Sequence, residues 1–179
     1  MTKSPNPAHV ASLRLLILAL AALPFLAWMT LWEESSMSPA KAASGTSAIA
    51  TFAGGCFWCM QPPYDGLEGV IKTTVGYTGG TKVDPTYEEV SSGTTGHAES
   101  VQVVYDPAKV TYERLVEIFW HNIDPLTKNA QFCDHGTQYR TAIFYHDDEQ
   151  KRLAEATKAK IEASGVLKGP IVTQIVAAG

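Results

Sequence analysis

The sequence predicts a single α+β domain of two layers, in which helices flank a mixed central β-sheet. Apolar runs of period two alternate along the chain with stretches of helical spacing. The intervening helices differ in length, which indicates a mixed sheet in an α/β or α+β domain. Of these two classes we predict α+β. The 179 residues are 45% hydrophobic, enough apolar material for one core. There is no internal repeat and no phosphate-binding glycine fingerprint.

The N-terminal part of the chain predicts export. Residues 15–32 are uncharged and mostly apolar, and two basic residues but no acid precede them. This pattern indicates a segment at 1–32 that is either a signal peptide, cleaved at the small-residue site 40–42, or a retained membrane anchor. Residues 33–47 are small and polar and predict a linker to a domain at 48–179. We therefore expect a periplasmic or otherwise extracytoplasmic protein.

Strand and helix signals then follow each other through the domain. Period-two runs predict strands at 48–53, 70–77, 97–105, 139–145 and 171–176. Helices are predicted after Cys56, from an Asp84-Pro85 start through Val90, from a Thr111 cap to about 122, and from Asp147 to Gly165. A polar loop is expected after Asp124, because the residue before a proline is biased away from helical geometry.

The segment GGCFWC at 54–59 contains two of the three cysteines and predicts thiol chemistry. Three cysteines are too few for a disulfide-built scaffold. Unpaired N–H groups at a helix start favour the thiolate of Cys56, and the two glycines leave room for a substrate. The adjacent Phe57 and Trp58 are suited to hold a small apolar group such as a methyl.

Three further stretches carry candidate polar groups. Glu99 leads the strand face that carries Val101 and Val103, so we expect a buried carboxyl with a raised pKa that donates a proton. A glutamate turned to solvent at the strand end is the alternative. The loop at 134–140 is dense in hydrogen-bond donors that could lie over a site. Tyr87 is a weaker candidate, since an isolated tyrosine is usually a packing residue.

Five motifs occur in order along the domain: GGCFWC at 54–59, GYTGG at 76–80, DPTYEEV at 84–90, SGTTGHAE at 92–99 and DHGTQYR at 134–140. Together they resemble the peptide methionine sulfoxide reductases of the A type, and the resemblance covers essentially all of residues 48–179. It implies reduction of the S epimer of methionine sulfoxide, free or in proteins. The fold expected with it is a variant of the ferredoxin-like plait.

The resemblance also implies a role for each matching residue. Cys56 would attack the sulfoxide sulfur and become a sulfenic acid, and Glu99 would protonate the sulfoxide oxygen. Phe57 and Trp58 would enclose the methyl group. Three residues would bind the oxygen or line the polar side of the pocket: Tyr87, Tyr139 and Asp134. No metal or organic cofactor is implied.

A sulfenic acid must be reduced to complete a turnover, commonly through a second thiol that forms a disulfide. Cys59 and Cys133 are the two candidates for this resolving thiol, and their spacing leaves the choice open. The resemblance implies a thioredoxin-like protein as the electron donor. Relatives typically continue past the position of residues 175–179 with a segment close to the active site, so we expect a truncated C-terminus.

Two other functions fit parts of the pattern. Cys56-x-x-Cys59 also matches a thiol-disulfide oxidoreductase of the exported compartment, although the bulky residues between the thiols count against it. A structural zinc module would use Cys56, Cys59, Cys133 and His135, but Cys-x-His is poor ligand spacing. The net charge of −4 and the lack of a recognition motif argue against a nucleic-acid partner.

Overall fold

The computed structural model describes residues 46–179, so the predictions for the N-terminal apolar segment and nearly all of the linker lie outside the described residues. The strands are β1 Ala48–Gly54, β2 Val70–Thr78, β3 Ala98–Tyr105, β4 Ala130–Gln131, β5 Asp134–His135, β6 Thr141–Tyr145 and β7 Gln174–Ala177. The α-helices are α1 Phe57–Met60, α2 Tyr87–Ser91, α3 Tyr112–His121 and α4 Asp148–Ser164, and a 3₁₀ helix spans Thr137–Tyr139. Within residues 46–179, none of the helices combines the length and apolar composition needed to cross a membrane.

The main sheet has five strands in the order β2-β3-β1-β6-β7. Neighbours among the first four are antiparallel, whereas β6 and β7 are parallel. The chain passes through the sheet as β1, α1, β2, β3, α3 and β6, which is the β-α-β-β-α-β order of ferredoxin-like folds. The short helix α2 is inserted between β2 and β3, and α4 with β7 extends the sheet. The predicted α+β class and mixed sheet are confirmed.

The main core lies between the sheet and the helices. Phe52 of β1 is fully buried and stacks against Tyr64, Tyr112 and Phe119, with ring centroids 5.4 to 6.3 Å apart. Since side chains alternate along a strand, the next residue, Ala53, points to the opposite face. There it joins a smaller cluster that includes Phe144. Burial on both faces fixes the register of β1, and with it the position of the Gly-Gly turn that follows.

The predicted caps of α3 and α4 and the predicted end of α4 are confirmed, whereas the predicted cap of α2 is wrong. The Thr111 and Asp147 side chains cap α3 and α4, accepting hydrogen bonds from the N–H groups of the third helical residue. Gly165 ends α4 in the left-handed conformation. The predicted Asp84 cap is wrong: Thr86 caps α2, because its side chain and that of Glu89 form both halves of a capping box.

Two predicted strand boundaries are also wrong. Tyr139 lies in the 3₁₀ helix, and strand β6 begins only at Thr141. The last strand begins at Gln174 rather than at 171, because the Val172 N–H donates to the carbonyl oxygen of Pro125 and not to the sheet.

Candidate active site

The turn between β1 and α1 admits little besides glycine. A Cβ on Gly55 would lie 2.5 Å from Cβ of Gln131, and Gly55 has a φ of +90°. A Cβ on Gly54 would lie 2.6 Å from Sδ of Met60. Cys56 follows directly, half-buried, as the residue before α1. The two glycines therefore let the chain turn tightly and present a thiol at the end of the central strand β1.

Glu99 lies beside this turn. Only 3% of the residue is exposed, and its Oε2 accepts a hydrogen bond of 3.1 Å from the Phe57 N–H. Burial raises the pKa of Glu99, the hydrogen bond from Phe57 opposes the rise, and the negative charge of Asp134 adds to it. The predicted inward orientation, shared with Val101 and Val103, is confirmed. We predicted that unpaired N–H groups at the start of this helix stabilise a Cys56 thiolate. The first of them, the Phe57 N–H, donates to the Glu99 carboxyl instead.

Aromatic rings surround the start of α1. Phe57 is buried, and its ring centroid lies 5.9 Å from that of Trp58 and 5.9 Å from that of Tyr77. Trp58 is 72% exposed. Sequence reasoning missed Tyr77, which is the cross-strand partner of Glu99 in the β2–β3 ladder. Tyr77 belongs to the GYTGG motif, which is the signal that could have identified it. The register that brings Tyr77 beside Glu99 depends on the pairing of β2 with β3, which the motif alone does not specify.

Tyr139 and Asp134 lie close enough to Glu99 for charge interactions with it. The pKa of Tyr139 is raised, first by burial, then by the charges of Glu99 and Asp134, with smaller effects from Tyr87 and Cys56. Tyr87 is the first residue of α2 and is 56% exposed. The structure therefore brings together groups that are distant in sequence around the Cys56–Glu99 pair.

The three cysteines are free thiols: Cys56 is half-buried, and Cys59 and Cys133 are exposed. The pKa of Cys59 is raised first by burial of its sulfur and then by its proximity to Cys56. The Cys59 N–H donates to the Cys56 carbonyl oxygen at 3.0 Å, so the two cysteines lie one helical turn apart. Cys133 is exposed at the tip of the hairpin formed by β4 and β5.

The β4–β5 hairpin, residues 130–135, was missed from the sequence because two-residue strands carry no periodicity. Its anchor is Gln131, which is 1% exposed. The Gln131 side chain accepts from the Asp124 N–H at 2.8 Å and donates to the carbonyl oxygens of Asp124 and Ala130, each at 2.7 Å. The stem of this side chain packs on Gly55. The hairpin thereby fixes Asp134 beside the site.

In the described part of the chain, 46–179, no three His, Cys, Asp or Glu side chains are grouped so that they could hold a metal ion. The four ligands of the zinc alternative are therefore not assembled.

A family model described as peptide methionine sulfoxide reductase matches residues 48–179. The chain belongs to this family. Peptide methionine sulfoxide reductase MsrA of Bacillus velezensis is 57% identical over 130 residues, which cover 73% of each protein. The family predicted from the five motifs is confirmed, and with it the enzyme class, a peptide-methionine (S)-S-oxide reductase. The thiol-disulfide oxidoreductase alternative is not favoured.

Solved structures of this family share the fold. Reduced Mxr1 from Saccharomyces cerevisiae is 33% identical, and the match covers 78% of this chain and 80% of Mxr1 with a TM-score of 0.68. Mxr1 in complex with Trx2 matches with a TM-score of 0.54 at 24% identity, covering 79% of this chain and 84% of that one. The second likeness shows the fold alone.

Proposed function

We propose that this chain reduces the S epimer of methionine sulfoxide, free or in proteins, with Cys56 as the nucleophile and Glu99 as the proton donor. The observation that carries the proposal is the 3.1 Å hydrogen bond from the Phe57 N–H to Glu99. It holds a buried carboxyl of raised pKa against the residue next to the thiol. A nucleophile and an acid in this arrangement suit a substrate whose sulfur is attacked while its oxygen is protonated.

The first step forms a bond between the Cys56 sulfur and the sulfoxide sulfur. The Cys56 sulfur attacks as the thiolate, and Glu99 delivers its proton to the sulfoxide oxygen and becomes a carboxylate. The resulting hydroxyl group then passes to the Cys56 sulfur, while both the S–O bond of the substrate and the new bond between the two sulfurs break. The products are methionine and the Cys56 sulfenic acid, so the sulfoxide is reduced by two electrons and the cysteine is oxidised by two. These steps use only a thiol and a proton donor of the chain itself.

The pocket walls divide into an apolar and a polar side. The rings of Phe57, Trp58 and Tyr77 form an aromatic group at the residues that follow Cys56, suited to the methyl group of the substrate. The polar side consists of Tyr87, Tyr139 and Asp134, and burial keeps the Tyr139 hydroxyl protonated as a hydrogen-bond donor to the oxygen.

Cys59 is the proposed resolving thiol. Its backbone N–H donates to the Cys56 carbonyl oxygen at 3.0 Å, which keeps the two cysteines one helical turn apart, whereas Cys133 lies on the tip of a different element, the β4–β5 hairpin. Attack of the Cys59 sulfur on the sulfenic acid forms a Cys56–Cys59 disulfide and releases water. A thioredoxin-like dithiol then reduces this disulfide and is itself oxidised; the complex of Mxr1 with Trx2 supports a donor of this class. Action outside the cytoplasm is supported by the composition of residues 1–32.

Single-turnover reduction of the separated sulfoxide epimers tests the proposed reaction. The wild-type chain and Cys133→Ser should reduce the S epimer, and Cys56→Ser should reduce neither. Equal activity of Cys56→Ser and the wild type, or reduction of the R epimer alone, would refute the proposal. Cys59→Ser should retain the single turnover but lose thioredoxin-driven cycling. Loss of the single turnover in Cys59→Ser, together with rapid exchange of small disulfides by the wild type, would instead support a disulfide oxidoreductase.

A further inference from the structure

Phe132, at the tip of the β4–β5 hairpin, has a strained backbone and an exposed side chain, and packing within the described chain does not compensate for this strain. Its φ is +52°, in the left-handed region that a bulky side chain rarely adopts. Its side chain is also 77% exposed. Asparagine or glycine would fit such a hairpin position without strain and without exposing a ring. An exposed aromatic ring on a strained backbone is expected where the ring meets a partner.

The hairpin tip lies next to the reaction site. On one side of Phe132, Gln131 packs on Gly55, directly before the nucleophile. On the other side, beyond Cys133, the charge of Asp134 reaches both Glu99 and Cys59, raising their pKa values. Gln131, before the tip, therefore contacts the site by packing, and Asp134, after the tip, acts on it through its charge.

The tip is held firmly enough to act as a fixed contact. Three hydrogen bonds hold the buried Gln131 side chain against the 124–130 segment. The Gly136 N–H donates to the Asn129 carbonyl oxygen at 2.9 Å, closing the hairpin at its base. A ring presented on an anchored hairpin costs a partner less ordering entropy than a ring on a loose loop.

We propose that Phe132 is a specificity-determining residue that binds the polypeptide flanking an oxidised methionine, through an apolar side chain next to it. The inference rests on the proposed function, because a methionine sulfoxide side chain that reaches Cys56 leaves its flanking residues over the rim of the site. Trp58, which follows Cys56 by two positions, and Tyr87 are also exposed aromatic side chains, at 72% and 56%. Free methionine sulfoxide has no flanking residues and does not use the contact.

The test compares three substrates in single turnover without a reductant: free methionine-S-sulfoxide, and two peptides of equal length with leucine or serine beside the sulfoxide. Phe132→Asn replaces the ring by a side chain that accepts the left-handed backbone. The concentration of the leucine peptide that gives half of the maximal single-turnover rate should rise about fivefold, the factor expected when roughly half of a phenylalanine side chain is buried in the complex. The rates for the free amino acid and the serine peptide should stay within about 1.5-fold of wild type.

Val166→Ala is the matched control, because Val166 is an apolar residue 75% exposed on the segment after α4. It should leave all three substrates unchanged. Phe132→Leu should retain most of the preference for the leucine peptide. The proposal is overturned if Phe132→Asn keeps the full preference, or slows all three substrates equally. A defect confined to thioredoxin-driven turnover would also overturn it and indicate a donor contact. Failure of the wild type on every substrate would instead refute the proposed function.

Discussion

The turn at Gly54–Cys59 carries two cysteines and the hairpin at 130–135 carries one, and the two segments place these cysteines differently. The turn follows the buried central strand β1 and begins a helix, so a backbone hydrogen bond of 3.0 Å joins Cys56 and Cys59 within one helical turn. In the hairpin, the buried residue Gln131 anchors the strands, and Cys133 lies exposed at the tip. The turn therefore holds Cys59 one helical turn from Cys56, whereas the hairpin leaves Cys133 at its tip.

The same comparison separates two kinds of contribution to Glu99. The turn holds the carboxyl directly, through the Phe57 N–H. The hairpin acts on it at a distance, through the charge of Asp134. Changes at the turn should therefore have larger effects than changes at the hairpin, and the following predictions test that order.

Glu99→Gln should have the largest effect on the chemical step. The amide oxygen can still accept the Phe57 N–H, so the turn keeps its position, but no proton is available for the sulfoxide oxygen. We expect the single-turnover rate to fall by roughly 10²–10⁴, the usual contribution of a general acid. Stopped-flow or rapid-quench measurement of methionine release gives the rate. Glu68→Gln, at an exposed acid before β2, is the control and should retain the wild-type rate.

Gly55→Ala should damage the contact between turn and hairpin. The added Cβ would lie 2.5 Å from Cβ of Gln131 on a left-handed backbone, so the hairpin must move. We expect a loss of about 2–4 kcal/mol in the free energy of unfolding, from backbone strain and overpacking together. Urea denaturation measures it. Gly165→Ala, left-handed with no atom within 4 Å of its Cβ, should lose only about 1 kcal/mol. Equal losses in the two variants would contradict the account of this contact.

Asp134→Asn should have the smallest effect, seen in the pH dependence. The proton donor is present below the folded-state pKa of Glu99 and is lost as pH rises through it. Since the charge of Asp134 raises that pKa, its removal should lower it. The alkaline limb of the single-turnover profile should move to lower pH by less than about one unit, because burial is the larger cause. A limb that stays in place or moves upward would show that the hairpin charge does not act on Glu99.

Much of the fold could be predicted because its signals are local or periodic. Alternation along β3 placed Glu99 on the buried face, and side-chain caps located the starts of α3 and α4. The family could be predicted because its motifs keep their order through the whole domain.

The parts that could not be predicted depend on contacts between distant segments. Tyr77 joins the site through its register opposite Glu99, which no single strand specifies. The hairpin depends on Gln131 packing against Gly55, 76 positions earlier in the chain, and its two-residue strands carry no pattern of their own. Whether Cys59 or Cys133 is the resolving thiol likewise depends on where the fold places each thiol relative to Cys56.

The central claim is that one helical turn supplies both the nucleophile and the resolving thiol. It is tested most directly by reacting the reduced chain with one equivalent of methionine-S-sulfoxide, blocking the remaining thiols and mapping the disulfides by mass spectrometry. We predict a Cys56–Cys59 disulfide with Cys133 carrying the blocking group. A Cys56–Cys133 disulfide, or a stable Cys56 sulfenic acid with Cys59 blocked, would contradict it.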